Sequence, residues 1–224
     1  MNFIIKTFLF SAILASSFVQ AGEVRGGTRL IYQGGKKEVS LNISNSDTGP
    51  YLIQSWAETQ NGGTEKALFI ITPPLFRLDA QQQNMLRVVR AGGNLPEDRE
   101  SLFWLNIKSI PSGSVKNNTN TLQLSVKTRI KLIYRPQGIK GVPDDVAKNL
   151  TWNLKGTNLT VNNPTPFYMN FQQVKVGGRE IKNVTFVAPM STATFTTPPG
   201  VSGSITWKVI TDYGAIGNEH SSDK

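Results

Sequence analysis

Valine, isoleucine, threonine and the aromatic residues gather in short runs along this chain, and each run is closed by glycine, proline, asparagine or aspartate. β-Branched and aromatic side chains suit a pleated, half-buried surface, whereas the closing residues supply turn geometry, so the alternation points to an all-β fold. Val39, Leu41 and Ile43 alternate with Ser40, Asn42 and Ser44 at a period of two, the pattern of a strand with one buried face. Further strands are expected over 28–34, 51–58, 67–71, 85–90, 101–110 and 121–134, with Trp56 as a core residue. Seven such strands describe a β-sandwich of immunoglobulin-like type. Thr72-Pro73-Pro74 cannot continue a ladder, and Pro73 is a candidate for a cis peptide bond.

Between Arg135 and Asp145 the composition turns to Pro136, Gly138, Gly141 and Pro143, the best place for a domain boundary. Runs at 150–154, 158–161, 167–176, 184–187, 193–196 and 204–210 then predict a second, smaller β-sandwich or barrel. The expected layout is an N-terminal domain over 22–138, a hinge over 139–143, a second domain over 144–217 and a polar tail over 218–224. Residues 1–21 have the form of a signal peptide: Lys6, an apolar stretch over 7–18, and Val19-Gln20-Ala21 at the cleavage position. The mature chain is expected to be exported, with cleavage near Ala21 and no membrane insertion, because no later stretch approaches a span in length.

Several chemistries lack their residues. The chain has no cysteine, which removes disulfides, thiol nucleophiles and cysteine-ligated metals, and its one histidine, His220, falls in the polar tail. No phosphate-binding loop, dinucleotide fingerprint, zinc-protease motif or nucleophile elbow occurs, so neither an enzyme nor a cofactor or metal is expected. Asp144-Asp145 as an acid/base pair is the one catalytic alternative, and adjacent loop carboxylates more commonly form a solvated turn. The formal charge is +9, yet the basic residues are scattered, with no run longer than Lys36-Lys37, a pattern that disfavours nucleic acid and suits acidic protein partners or the envelope surface.

The run 121–134 is unusual, for at ~3.4 Å per residue it would extend roughly 50 Å. Its first half alternates Leu122, Leu124 and Val126 with Gln123, Ser125 and Lys127. One reading makes the apolar row an ordinary core face; the other makes it a row offered to a partner.

Six ordered stretches stand out: Thr28-Arg29, Thr72-Pro73-Pro74, Asp98-Arg99-Glu100-Ser101-Leu102-Phe103-Trp104-Leu105-Asn106, Lys131-Leu132-Ile133-Tyr134-Arg135-Pro136, Asn163-Pro164-Thr165-Pro166-Phe167-Tyr168 and Asp212-Tyr213-Gly214. Through them the chain resembles, over essentially its whole mature length, the PapD-like periplasmic pilus-assembly chaperones of chaperone-usher systems. The resemblance implies two immunoglobulin-like β-sandwich domains joined at an angle with a cleft between them. It implies that Arg29 and Lys131 grip the C-terminal carboxylate of a pilin, and that Leu122, Leu124 and Val126 form the strand donated to that pilin. By the same resemblance Glu100, Arg135 and Asp212 form an interdomain ionic cluster. Pilin subunits and an outer-membrane usher are then the expected partners, the periplasm of a Gram-negative bacterium the expected location, and no cofactor is implied.

An exposed apolar edge also predicts a partner or a self-capping homodimer in the resting state. The short loop at 109–120 resembles the short-loop subfamily linked to rod-like pili, whereas the second-domain disulfide of many relatives is missing. Subunit specificity is assigned to Gln123, Ser125 and that loop from their nearness to the donor row. The rival reading is a secreted two-domain adhesin or fibre subunit, which would polymerise or bind a host surface instead of holding a subunit.

Overall fold

The computed structural model describes residues 28–64, 68–112 and 123–222. The expected signal peptide, Leu122 and residues 113–120 of the specificity loop lie outside these. The first half contains β1 (Arg29–Gln33), β2 (Glu38–Ser44), β3 (Tyr51–Thr59), β4 (Phe69–Thr72), β5 (Leu75–Leu78), β6 (Gln83–Arg90), β7 (Ser101–Pro111) and β8 (Val126–Arg135). One sheet runs β1-β8-β7-β3-β5 and the facing sheet β2-β6-β4. Leu41 and Ile43 of β2 and Leu86 and Val88 of β6 point inward at period two and meet Leu105 of β7 and Leu132 of β8 in one core.

The second half begins with α1 (Pro143–Val146) and a 3-10 turn (Ala147–Asn149). It continues with β9 (Thr151–Lys155), β10 (Asn158–Asn163), β11 (Met169–Val176), β12 (Arg179–Glu180), β13 (Phe186–Val187), β14 (Ser191–Thr196), β15 (Ile205–Ile210) and β16 (Ile216–Ser221). Here the sheets are β14-β10-β9 and β12-β11-β15-β16, with β13 paired to β11. Leu159, Val161, Met169 and Val209 centre a separate core, so each half is an immunoglobulin-like sandwich with its own interior. A third cluster, of Leu102, Ile133 and Tyr168, joins the two halves.

The structure departs from the sequence reading at Trp56 and at the C-terminal residues. Trp56 is not a core residue. Ile53, Ser55 and Ala57 hold the inward phase of β3, so Trp56 lies on the outer face, where its indole donates to Glu58 Oε1 at 2.8 Å and the Lys127 ammonium stands 5.0 Å from its ring. Small Ser55 takes the buried place because its Oγ donates to the Pro73 carbonyl at 3.0 Å. Phase outweighs hydrophobic size here.

The prolines end the β4 ladder at Thr72, as the sequence led us to expect. They carry the chain from β4 in one sheet to β5 in the other, and the Thr72–Pro73 bond is cis.

Residues 218–222 are not a polar tail. Most of them belong to β16, which pairs with β15 in the register Trp207↔His220 and Lys208↔Glu219, and the His220 ring stacks on Trp207 at 5.8 Å. An edge strand exposes most of its side chains, so its polarity concealed it. β16 is tied to α1 by Asn218, whose backbone and side-chain nitrogens each donate to Asp144 at 3.1 Å. A Cβ on Gly217 would lie 2.1 Å from Asp144 Oδ1 and 3.0 Å from the Val209 carbonyl. Gly217→Ala should therefore cost ~1–3 kcal/mol, read as a lower melting temperature, and an unchanged melting temperature would show that the β16 tie is not needed.

Candidate functional site

Period-two alternation builds the site. On β8, Ile130, Leu132 and Tyr134 enter the first core, which turns Lys131, Ile133 and Arg135 onto the opposite face, toward the second domain. On β1, Leu30 and Tyr32 face the same core, which turns Arg29 and Ile31 outward. The two strands pair in parallel with Arg29 opposite Lys131, so two cations stand side by side at the cleft.

The second domain receives both. One Arg29 terminal nitrogen donates to the Ile210 carbonyl at 3.1 Å, while Lys131 Nζ donates to Oδ1 of the buried Asn170 and lies 4.7 Å from the Phe186 ring. Burial lowers the Lys131 pKa to about 8, with the Arg29 charge pushing the same way. Burial also lowers the Arg29 pKa, against the pull of Asp212 and Glu100. The Arg29 Nε is buried without a hydrogen-bond partner among the described residues. Two cations held together at this desolvation cost are electrostatically suited to an anion, and a carboxylate matches the planar guanidinium.

Beside them Arg135 joins the domains. Its Nε donates to Glu100 Oε1 at 2.7 Å, and its two terminal nitrogens donate to the Asp212 carboxylate at 2.6 and 2.8 Å. The other Glu100 oxygen accepts the Tyr168 backbone N–H at 2.7 Å. The stretch Asn163-Pro164-Thr165-Pro166-Phe167-Tyr168 presents that N–H. Asn163, fully buried, donates to the carbonyls of Phe167 and Ala188 and accepts from Thr165, which fixes the loop ahead of Tyr168. Burial pushes the Glu100 pKa up while Arg135 and the Tyr168 N–H hold it down, and burial with the Glu100 charge raises Tyr168 to about 12. Among the described residues Arg29, Lys131 and Arg135 are met by the carboxylates of Glu100 and Asp212, which leaves one positive charge in excess.

β8 has a second property. It pairs with β7 over Ser109↔Val126 to Ser101↔Tyr134, but with β1 only from Lys131 onward. On the β1 side, Val126–Ile130 therefore has no strand neighbour among the described residues. Val126 shares the face of core residues Ile130 and Leu132 but is 52% exposed, and Leu124 is 65% exposed, so these two do not form a core face. The expected strand over 121–134 begins, among described residues, only at Val126, since 123–125 make no ladder. Gln123 and Ser125 are both exposed.

Sequence reasoning missed Asn170, Phe186, Gln60 and the Ile210 carbonyl. Gln60 accepts the Tyr168 hydroxyl at 3.1 Å through Oε1, and its carbonyl accepts the Trp104 indole at 3.1 Å. Only the two-residue step from Tyr168 to Asn170 could have flagged any of them. Asp144, the catalytic alternative, is engaged with Asn218 as a structural tie. Among the described residues no group of acidic or histidine side chains could hold a metal, and no helix is long and apolar enough to cross a membrane.

Residues 24–140 match the family model "Pili and flagellar-assembly chaperone, PapD N-terminal domain", and residues 145–221 match "Pili assembly chaperone PapD, C-terminal domain". The chain is 41% identical over 211 residues to the chaperone protein FimC of Escherichia coli K12, covering 93% of this chain and 87% of FimC. It is 42% identical over 217 residues to the E. coli chaperone protein FocC, covering 95% and 94%. Among solved structures, that of the Salmonella enterica SafA pilin in complex with the SafB chaperone contains a chain 43% identical, with a TM-score of 0.84 over 90% of this chain and 96% of that one.

Proposed function

This chain belongs to the PapD family of pili-assembly chaperones, and we propose that it performs the family's work through the cleft and open edge just described. It binds fimbrial subunits, completes their incomplete sandwich by donating the edge of β8, and delivers them to an outer-membrane usher. The observation that carries this mechanism is the alignment of the open β8 edge with the paired cations. A strand whose terminal carboxylate rests between Arg29 and Lys131 and whose backbone lies beside Val126–Ile130 runs parallel to β8 and prolongs the line of β1. About 17 Å of extended chain separates Val126 from Lys131, so the anchored carboxylate sets the pairing register. Register matters because a slip of one residue would turn every donated side chain to the wrong face.

Arg29 and Lys131 act as the carboxylate anchor, Leu122, Leu124 and Val126 as the donor row, and Glu100, Arg135 and Asp212 as the strut that holds the domains at the angle of the cleft. Gln123, Ser125 and the loop over 109–120 tune subunit choice. The N-terminal domain spans 22–138, and the second domain extends beyond 217 to take in β16. One solved relative, 40% identical, is titled a periplasmic chaperone, SfaE; we place this protein in the same compartment after cleavage near Ala21. The reaction is binding and release rather than catalysis, and exchange of the chaperone strand for the next subunit's extension supplies the energy.

Val126→Asp tests the donation. The side chain is 52% exposed, so unfolding should shift by no more than about 0.5 kcal/mol. Capture of a co-expressed fimbrial subunit encoded nearby should fall at least ~10-fold, because the substitution carries a charge into an apolar groove. Co-purification at the wild-type level would refute strand donation.

A further inference from the structure

Tyr213 is 96% exposed, an aromatic side chain that gives its own fold no packing. The turn that carries it is nonetheless tightly built. Gly214 N donates to the Thr211 carbonyl at 3.0 Å, Thr211 N to the Ala215 carbonyl at 2.9 Å, and Ala215 N to Thr211 Oγ1 at 3.2 Å. The residue before it, Asp212, is held by both Arg135 terminal nitrogens. Gly214 closes the turn at φ +81, a conformation that favours glycine. An exposed aromatic ring on a fixed turn is an arrangement that binding surfaces use, since a tyrosine brings a large contact area with only two side-chain torsions to order.

Its position identifies the occupant. The carbonyl of Ile210, at the start of the same hairpin, accepts from Arg29 at 3.1 Å. At the far side of the turn, a Cβ on Gly214 would lie 3.6 Å from Thr28 Oγ1. The turn over 211–215 thus abuts the start of β1, where a strand prolonging β1 and ending between Arg29 and Lys131 would place its last residues. We propose that Tyr213 is a recognition residue for the captured subunit, packing its ring against the residues next to the terminal carboxylate. This rests on the reading of Arg29 and Lys131 as the carboxylate anchor. The first domain then holds the charge of the subunit's end, while the second senses its side chains.

The test compares wild type, Tyr213→Ala, Tyr213→Phe and Lys131→Ala. Calorimetric titration uses a synthetic peptide copying the C-terminal strand of the fimbrial subunit encoded beside this chain's gene, as free acid and as amide. Tyr213→Ala should bind the free acid ~10-fold more weakly at an unchanged melting temperature, and Tyr213→Phe should stay within ~2-fold of wild type. The preference for acid over amide should survive in Tyr213→Ala and vanish in Lys131→Ala. Wild-type affinity in Tyr213→Ala overturns the proposal, including the case where peptide binding is intact but pilus assembly fails, which would assign the ring to another partner. An equal loss in the Phe and Ala variants, or a loss with a lowered melting temperature, overturns it too. Retention of the acid preference by Lys131→Ala overturns the anchor itself and is a separate result.

Discussion

Lys131→Ala should yield a folded protein that no longer retains a fimbrial subunit. Truncating one partner of a desolvated, hydrogen-bonded charge pair costs ~2–5 kcal/mol, or roughly 30-fold to 1000-fold or more in affinity. The fold should not suffer. Lys131 is a half-buried cation beside Arg29 whose pKa is lowered to about 8 by burial and then by that neighbour. With a folded pKa below the unfolded value of ~10.4, the residue works against the native state at low pH, and this cost fades as pH rises from about 8 to ~10.4. The alanine variant should therefore melt no lower than wild type near neutral pH. Capture has the opposite dependence. A bound carboxylate favours the ammonium form, so affinity is highest below pH ~8 and declines above it, by at most ~10-fold per pH unit. Titration of subunit capture across pH 8, with Lys131→Arg as the variant that cannot lose its charge, reads this directly. A wild-type profile flat to about pH 9.5, or undiminished capture by Lys131→Ala, would overturn the anchor.

Arg135→Ala should be among the most destabilising single substitutions in the molecule. The Arg135 and Glu100 side chains are 4% and 1% exposed, so removing the guanidinium strands a carboxylate that burial already pushes toward its neutral form. Losing one partner of a buried pair costs ~3–5 kcal/mol. Because Asp212 loses the same partner, the links between the domains weaken together, and the cleft should open. Urea denaturation should resolve two transitions in place of a coupled one, and small-angle scattering should report a wider distribution of interdomain separations. Glu100→Leu with Arg135→Met, which leaves no stranded carboxylate at position 100, should recover more than half of the lost stability but not the interdomain geometry. If Arg135→Ala unfolds like wild type, the cluster is not a strut.

The sequence made the strands legible where one face is apolar and the other polar. The row Val39, Leu41, Ile43 carried its own phase, whereas the unbroken apolar triplets Leu30-Ile31-Tyr32 and Leu132-Ile133-Tyr134 hid the phase that turns Arg29, Lys131 and Arg135 away from the core. It failed where polarity or size misled. β16 has no apolar row because it is an edge strand, and Trp56 looks like core until the phase of its neighbours is known. The roles proposed for Arg29, Lys131, Glu100, Arg135 and Asp212 come from motif resemblance, since nothing in their immediate neighbours distinguishes them from ordinary surface charges.

Local chemistry, then, determined the all-β character and the turn-rich composition between Arg135 and Asp145, because side-chain alternation and turn preference act over a few residues. Only the tertiary structure decided that Arg29 stands beside Lys131, that Arg135 bridges Glu100 to Asp212, and that Asn170 and the Ile210 carbonyl receive the two cations. Asn170, the Ile210 carbonyl and Asp212 come from the second domain and the three cations from the first, and the desolvation that brings Lys131 to about 8 exists only once the two sandwiches meet.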